Sequence, residues 1–175
     1  MKTYIGFWQR VKAFALDYFI ILGYLVAITF LFLIINRFAS GSGWLFAGRI
    51  QAQVTGFLLL TLPIALYFAT SESSTRQGTW GKQRLGLKVT DRNGHRIYFW
   101  RAFGRTLLKF VPWEIAHTLI WEIRFSSGAD SVLITYGFVL VYVLIGLNIA
   151  SLVMTKTHQA LYDLLAGTYV VNNSL

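Results

Sequence analysis

AFALDYFIILGYLVAITFLFLII, residues Ala13 to Ile35, decides what kind of protein this is. Asp17 is the only charge in these 23 residues. At about 1.5 Å per residue a helix of this length reaches about 34 Å, enough to cross a hydrocarbon layer of about 30 Å. A secretory signal is the competing reading, but the run is too long, carries an aspartate and ends at Asn36-Arg37 without a small-residue cleavage pattern. We read a membrane-spanning helix. Working outward, Val54 to Thr70 is a second charge-free run, and Pro63 inside it predicts a kinked or locally broken helix. Val132 to Met154 is a third, interrupted only by Asn148 and small residues. Thr106 to Trp121 is shorter and holds Lys109, Pro112, Glu114 and His117. Arg105 and Lys109 can snorkel toward headgroups, and Trp113 and Trp121 suit an interfacial belt. Periodicity leaves open whether this segment spans, re-enters or lies in the interface.

Composition agrees with a bilayer as the main solvent. Of 175 residues 55% are hydrophobic, 17% aromatic and only 13% charged, against about 25% charged in soluble domains. The mean hydropathy of +0.55 leaves too few polar residues to coat a soluble surface, and it excludes disordered, collagenous and repeat classes. One domain, residues 1–175, is expected. The absence of cysteine removes disulfides, thiol nucleophiles and thiolate metal sites, and leaves the redox compartment open. The net charge of +9 asks for an anionic partner surface.

The placement of that charge identifies the surface. The first 12 residues carry Lys2, Arg10 and Lys12, and the loop from Asn36 to Gln53 has only Arg37 and Arg49. The basic loop, residues 71–105, holds Arg76, Lys82, Arg84, Lys88, Arg92, Arg96, Arg101 and Arg105 against Asp91 as its acid after Arg76. The positive-inside rule puts this loop and the N-terminus in the cytoplasm. A loop tethered between spans meets anionic lipid headgroups more readily than nucleic acid, at about 1 kcal/mol per basic residue near the surface. The expected lipid-facing set is Arg76, Arg84, Lys88, Arg92, Arg96 and Arg101 with Trp80 and Trp100, and no nucleic-acid partner is expected. Gly78-Thr79-Trp80-Gly81-Lys82 resembles a phosphate loop only superficially, since the glycine spacing is wrong and Gln83 stands where Ser or Thr would hold magnesium.

Within the loop, Leu85 to Thr90 alternates apolar and polar residues, Asp91-Arg92-Asn93-Gly94 is a strong turn signal, and Ile97-Tyr98-Phe99 resumes an extended run. A short hairpin follows. Thr168-Tyr169-Val170-Val171 is rich in β-branched and aromatic residues and can supply a third strand, which a marginal hairpin needs. That pairing would bring the C-terminus to the cytoplasm and make the number of crossings even. The expected architecture is an all-α polytopic membrane protein with about four embedded helical segments, near 13–35, 54–70, 106–121 and 132–154, and a small cytoplasmic three-stranded sheet.

Ionisable groups at membrane depth are where function is sought. Asp17 sits about 6 to 7 Å inside the apolar run. Arg10 shares its face but lies about 10.5 Å away along the axis, so each is expected to pair with another segment. The candidates are Arg105, Lys109, Glu114, His117, Lys82 and Asp163. Asp17 either serves a function or fixes helix register in a buried ion pair. Glu114 and His117, three apart, share a helix face as a proton-accepting or structural pair, but one Glu-x-x-His is half of a di-metal pattern, so no metal is expected. His158 and Asp163 do not share a face. Ala160 to Ala166 suggests a short amphipathic helix capped by Gly167, with Asp163 meeting the basic loop or exposed to solvent. No Ser/His/Asp set or carboxylate pair points to catalysis, so neither enzymatic activity nor a cofactor is expected.

Gly6-Phe7-Trp8-Gln9-Arg10 leading to Asp17, Thr79-Trp80-Gly81-Lys82-Gln83-Arg84-Leu85-Gly86-Leu87-Lys88-Val89, Asp91-Arg92-Asn93-Gly94, Arg105 and the stretch His158 to Val171 together resemble the RDD family of bacterial membrane proteins. The resemblance covers nearly the whole chain. It implies an integral inner- or plasma-membrane protein and carries the family's arginine and two aspartates onto Arg10, Asp17 and Asp163. Trp80 departs from the family's frequent proline, and Pro112 to Ser131 is longer than in compact members, which bears on the crossing count. Some members have been proposed to act in cation/proton exchange. The leading expectation is therefore a small transporter or exchanger for protons, cations or a small solute, built as an oligomer around Asp17, Glu114 and His117. The alternative is a structural or interaction module that clamps spans and binds anionic lipid or a partner protein. An enzyme acting on lipid ranks third.

Overall fold

The computed structural model describes residues 3–38, 43–126 and 131–172. Helix α1, Phe7–Phe38, is apolar on every face from Tyr18 to Ile35. Its buried residues are Ala13, Asp17 and Ile21, a single stripe at a spacing of four that faces the rest of the protein. After a short 3₁₀ turn at Gly43–Phe46 comes one continuous helical rod made of α2, Arg49–Gly56, a π-helical turn, Phe57–Thr61, and α3, Leu62–Ser73. Pro63 explains the interruption. It has no N–H to give the carbonyl of Leu59, four residues earlier, and its ring crowds that turn. The phenol of Tyr24 on α1 donates to the Leu59 carbonyl at 2.6 Å and satisfies the freed acceptor. Tyr24→Phe is expected to destabilise the fold by about 1–2 kcal/mol by leaving that carbonyl unpaired. Reversible unfolding in mixed micelles measures this, and an unchanged midpoint would refute the pairing.

The remaining elements are α4, Trp80–Arg84, β1, Leu87–Thr90, α5, Phe99–Phe125, α6, Ser131–Met154, α7, Leu161–Ala166, and β2, Tyr169–Asn172. Among the described residues, three stretches are long and apolar enough to cross a membrane: Phe7–Phe38, Arg49–Ser73 and Val132–Met154. The expected segment 106–121 proves to be the middle of the 27-residue α5, about 40 Å long. The expected basic loop 71–105 is not one loop, because the end of α3, all of α4 and β1 and the first turns of α5 fall within it.

Among the described residues the expected three-stranded sheet is a two-stranded one. β1 pairs antiparallel with β2, Val89 opposite Val170 and Lys88 opposite Val171. The Asp91 turn does form, its carboxylate accepting the backbone N–H groups of Asn93 and His95 at 2.9 and 2.8 Å, but the returning chain makes only one bridge, Thr90 to Arg96. Phe99 then opens α5, because Phe99 and Phe103, one turn apart, stack at 5.8 Å and pack on the core as helix neighbours. The N-terminal segment adds its own bridge, Tyr4 to Val171, and the Ile5 N–H reaches Val170 O at 3.1 Å. Residues 4–5, 87–90 and 169–172 thus gather in one patch, over a core of Ile5, Ala13, Ala69, Leu87, Val89, Ile97, Ala102 and Val170.

Candidate functional site

Beside that core the helices bring their charged groups together. Arg105, one and a half turns into α5, is the hub. Its Nε donates to Asp163 Oδ1 at 2.8 Å and its Nη1 to Glu72 Oε2 at 2.6 Å. Lys82 Nζ reaches the other Glu72 oxygen at 2.6 Å. Arg10 Nη1 reaches the other Asp163 oxygen at 2.5 Å. The chain Arg10, Asp163, Arg105, Glu72, Lys82 therefore ties α1, α7, α5, α3 and α4 into one network. Burial alone would raise the Asp163 carboxyl, but the guanidinium groups of Arg105 and Arg10 outweigh it and hold it below the usual carboxylate range. Arg10 also donates to the carbonyls of Ile5 and His158 at 3.1 and 2.6 Å. His158 adopts a positive φ of 48° in the turn that presents this carbonyl. Gly167, at φ 63°, ends α7 as the sequence leads one to expect, and Arg101 covers the last carbonyls there, donating to Ala166 O and Gly167 O at 2.7 and 2.6 Å.

Among the described residues Asp17 meets no cation at ion-pair distance. Its Oδ2 accepts the Thr79 hydroxyl at 2.5 Å, and its Oδ1 accepts the Gly81 N–H at 2.7 Å and the Tyr67 phenol at 3.0 Å. Thr79 and Gly81 are the N-cap and second residue of α4, so α1 supplies the carboxylate that caps α4. The close approach needs a glycine: a Cβ on Gly81 would lie 2.0 Å from the Ala13 carbonyl oxygen.

Between α1, α5 and α6 lies a cavity of about 610 Å³, lined by Arg10, Asp17, Lys82, Arg105 and Lys109 among apolar groups such as Phe14, Ile145 and Ile149. Lys109 has no carboxylate within ion-pair distance among the described residues. Its ammonium lies 3.9 Å from the Phe68 ring centroid, 5.1 Å from Phe14 and 5.8 Å from Phe110, a cation–π cage.

Glu114 and His117 share one stretch of α5, but Asp17 makes its hydrogen bonds to Tyr67, Thr79 and Gly81 rather than joining them. Glu114 accepts hydrogen bonds from Gln53 Nε2 at 3.0 Å and from Thr61 at the π-turn. The His117 ring stands edge-on to Trp113 at 4.5 Å. Lys82, expected as a partner of Asp17, is taken by Glu72. The solvent-exposed alternative for Asp163 is also excluded, since it is fully buried. The residues missed from sequence are Glu72, Tyr67, Thr79 and Gly81. The buried stripe Ala65, Phe68, Ala69, Glu72 shows the helical period running on past Thr70, and that is the signal that would have found the glutamate. On the outer surface Arg76, Arg84, Arg92, Arg96, Arg101, Trp80 and Trp100 are exposed, and Lys88 is half-buried. The Arg84 guanidinium stacks over Trp80 at 5.2 Å. Among the described residues no three His, Asp or Glu side chains gather as metal ligands.

The RDD family pattern matches residues 4–167. The chain belongs to the RDD family. A similar protein is the uncharacterized protein YxaI of Bacillus subtilis (strain 168), 29% identical over 118 residues that cover 60% of this chain and 75% of that one. No solved structure matches. Family membership and the apolar helices agree on a membrane protein, and within this RDD protein Arg10, Asp17 and Asp163 hold the helix ends around the cavity.

Proposed function

We propose that this RDD protein is a non-enzymatic, four-crossing protein of a bacterial inner membrane that binds a small solute between α1, α5 and α6 and passes it across the bilayer. The observation that carries the reading is the cavity, where charged side chains line an apolar space at membrane depth. Its lining has Arg10, Lys82, Arg105 and Lys109 against Asp17 alone, which favours a small solute over a cation. Parity supports the crossing count. Residues 4–5, 87–90 and 169–172 lie together, so the segments between them return to the side they left. α6 can cross only if α5 crosses too, with Arg105 buried, Lys109 on the cavity and the exposed Arg101 and Arg124 near the two ends of the helix. The positive-inside rule makes the shared side cytoplasmic. Four spans leave little room for a sealed path, which supports an oligomer.

Reconstituted into proteoliposomes, the protein is expected to give saturable uptake of an organic acid, reduced about tenfold or more by Lys109→Gln. No saturable flux of protons, monovalent cations or organic acids, short or long-chain, would refute transport. The second reading, a membrane clamp whose exposed basic and aromatic belt binds anionic lipid, is favoured by the fully paired network from Arg10 to Lys82. Wild-type protein without flux, combined with loss of abundance in Asp17→Asn, would select it.

A further inference from the structure

We infer that the cavity takes an acidic single-chain amphiphile, its carboxylate on Lys109 and its chain along Phe14, Ile145 and Ile149. The inference rests on the solute-binding reading and names the class of solute.

Three observations converge. The cavity volume of about 610 Å³ lies within the roughly 300–1,000 Å³ of small-molecule sites, which are mostly apolar with a few placed polar groups. Charge is the second. Asp163 and Glu72 are each shared by two cations, and Asp17 takes three neutral donors, so none of these carboxylates is in ion-pair contact with Lys109. An ammonium has three N–H donors, and the rings of Phe14, Phe68 and Phe110 accept none of them as an oxygen would. A carboxylate from a ligand supplies what is missing, as a charge-assisted hydrogen bond away from bulk water. Depth is the third. Lys109 follows the exposed Trp100 by nine residues of α5, about 13 Å along the helix. A compact acid on one chain reaches that depth, whereas a diacyl lipid keeps its headgroup at the interface. Neutral chains lose this contact, and free short acids lose the apolar lining.

The test uses the full chain in nanodiscs of zwitterionic phospholipid, with Trp113 on the cavity wall as reporter and Trp113→Phe as the subtraction. A dibrominated stearate is expected to quench Trp113 at a concentration about tenfold lower than the matching brominated alcohol. Lys109→Gln is expected to bring the acid to the level of the alcohol while the alcohol still quenches, which shows the cavity intact. Equal potency of acid and alcohol in the wild type overturns the inference whatever the variants do. So does an acid preference that survives Lys109→Gln, or a brominated anionic diacyl lipid as potent as the free acid. Acid-selective quenching without flux retires the transport reading and leaves this one standing; flux without acid preference does the reverse.

Discussion

Gly81→Ala is expected to be the most damaging single methyl group that can be added to this protein. The new Cβ would lie 2.0 Å from the Ala13 carbonyl oxygen and 3.0 Å from both the Ala13 carbonyl carbon and Asp17 Cγ. Two of those neighbours are backbone of α1, so no side-chain rotation relieves the contact. α4 must move off α1, and the hydrogen bond of Gly81 N–H to Asp17, 2.7 Å in the wild type, goes with it. Overpacking costs about 1–3 kcal/mol and more where backbone is trapped, and the stranded carboxylate adds its own desolvation penalty. We expect a loss of about 3 kcal/mol or more by unfolding in mixed micelles. Gly104, in the interior of α5, has open space where its Cβ would go. Gly104→Ala should therefore be neutral or stabilising by up to about 1 kcal/mol through helix propensity alone. Similar effects of the two substitutions would show that the contact between α1 and α4 does not govern stability.

What the sequence made legible was the solvent and the strand partner. Uninterrupted apolar runs can only be membrane helices of this length, and the β-branched stretch at Thr168 to Val171 found β1 because both are short, amphipathic and rich in strand formers. The hairpin went astray at Ile97-Tyr98-Phe99. That triplet reads as strand locally, yet Phe99 with Phe103 offers a helical contact that tertiary packing prefers. At the candidate site, the residue types were readable and the pairings were not. Arg10 was rightly denied to Asp17, but the partner of Asp17 turned out to be the start of α4, with backbone and hydroxyl donors. A sequence advertises opposite charges, while a carboxylate satisfied by an N–H group and two hydroxyls leaves no charge pattern to find. Asp163 was open to two readings, contact with the basic stretch or exposure to solvent, and it lies buried against Arg105 while its helix neighbours Leu164 and Leu165 are exposed.

Glu72 shows the same lesson in energetic form, and its removal is the second large effect. It lies two residues past the second apolar run, where Ser71, Ser73 and Ser74 suggest a solvated linker. α3 nevertheless continues through Ser73 and holds Glu72 fully buried. There it bridges Lys82 and Arg105 at 2.6 Å each. Glu72→Gln keeps the shape and removes the charge. Arg105 then retains Asp163, which it already shares with Arg10, while Lys82 loses its only ion-pair partner among the described residues. Breaking a buried pair from one side costs about 3–5 kcal/mol, because the surviving charge remains desolvated. The same substitution at Glu122, whose partner Arg49 is half exposed, should cost far less, because solvent screens that pair. Adding Lys82→Met to Glu72→Gln removes the stranded ammonium, so the double variant should be more stable than the sum of the singles predicts. Strict additivity would mean that the two groups do not interact, and the buried network would lose its central claim to hold α3, α4 and α5 together.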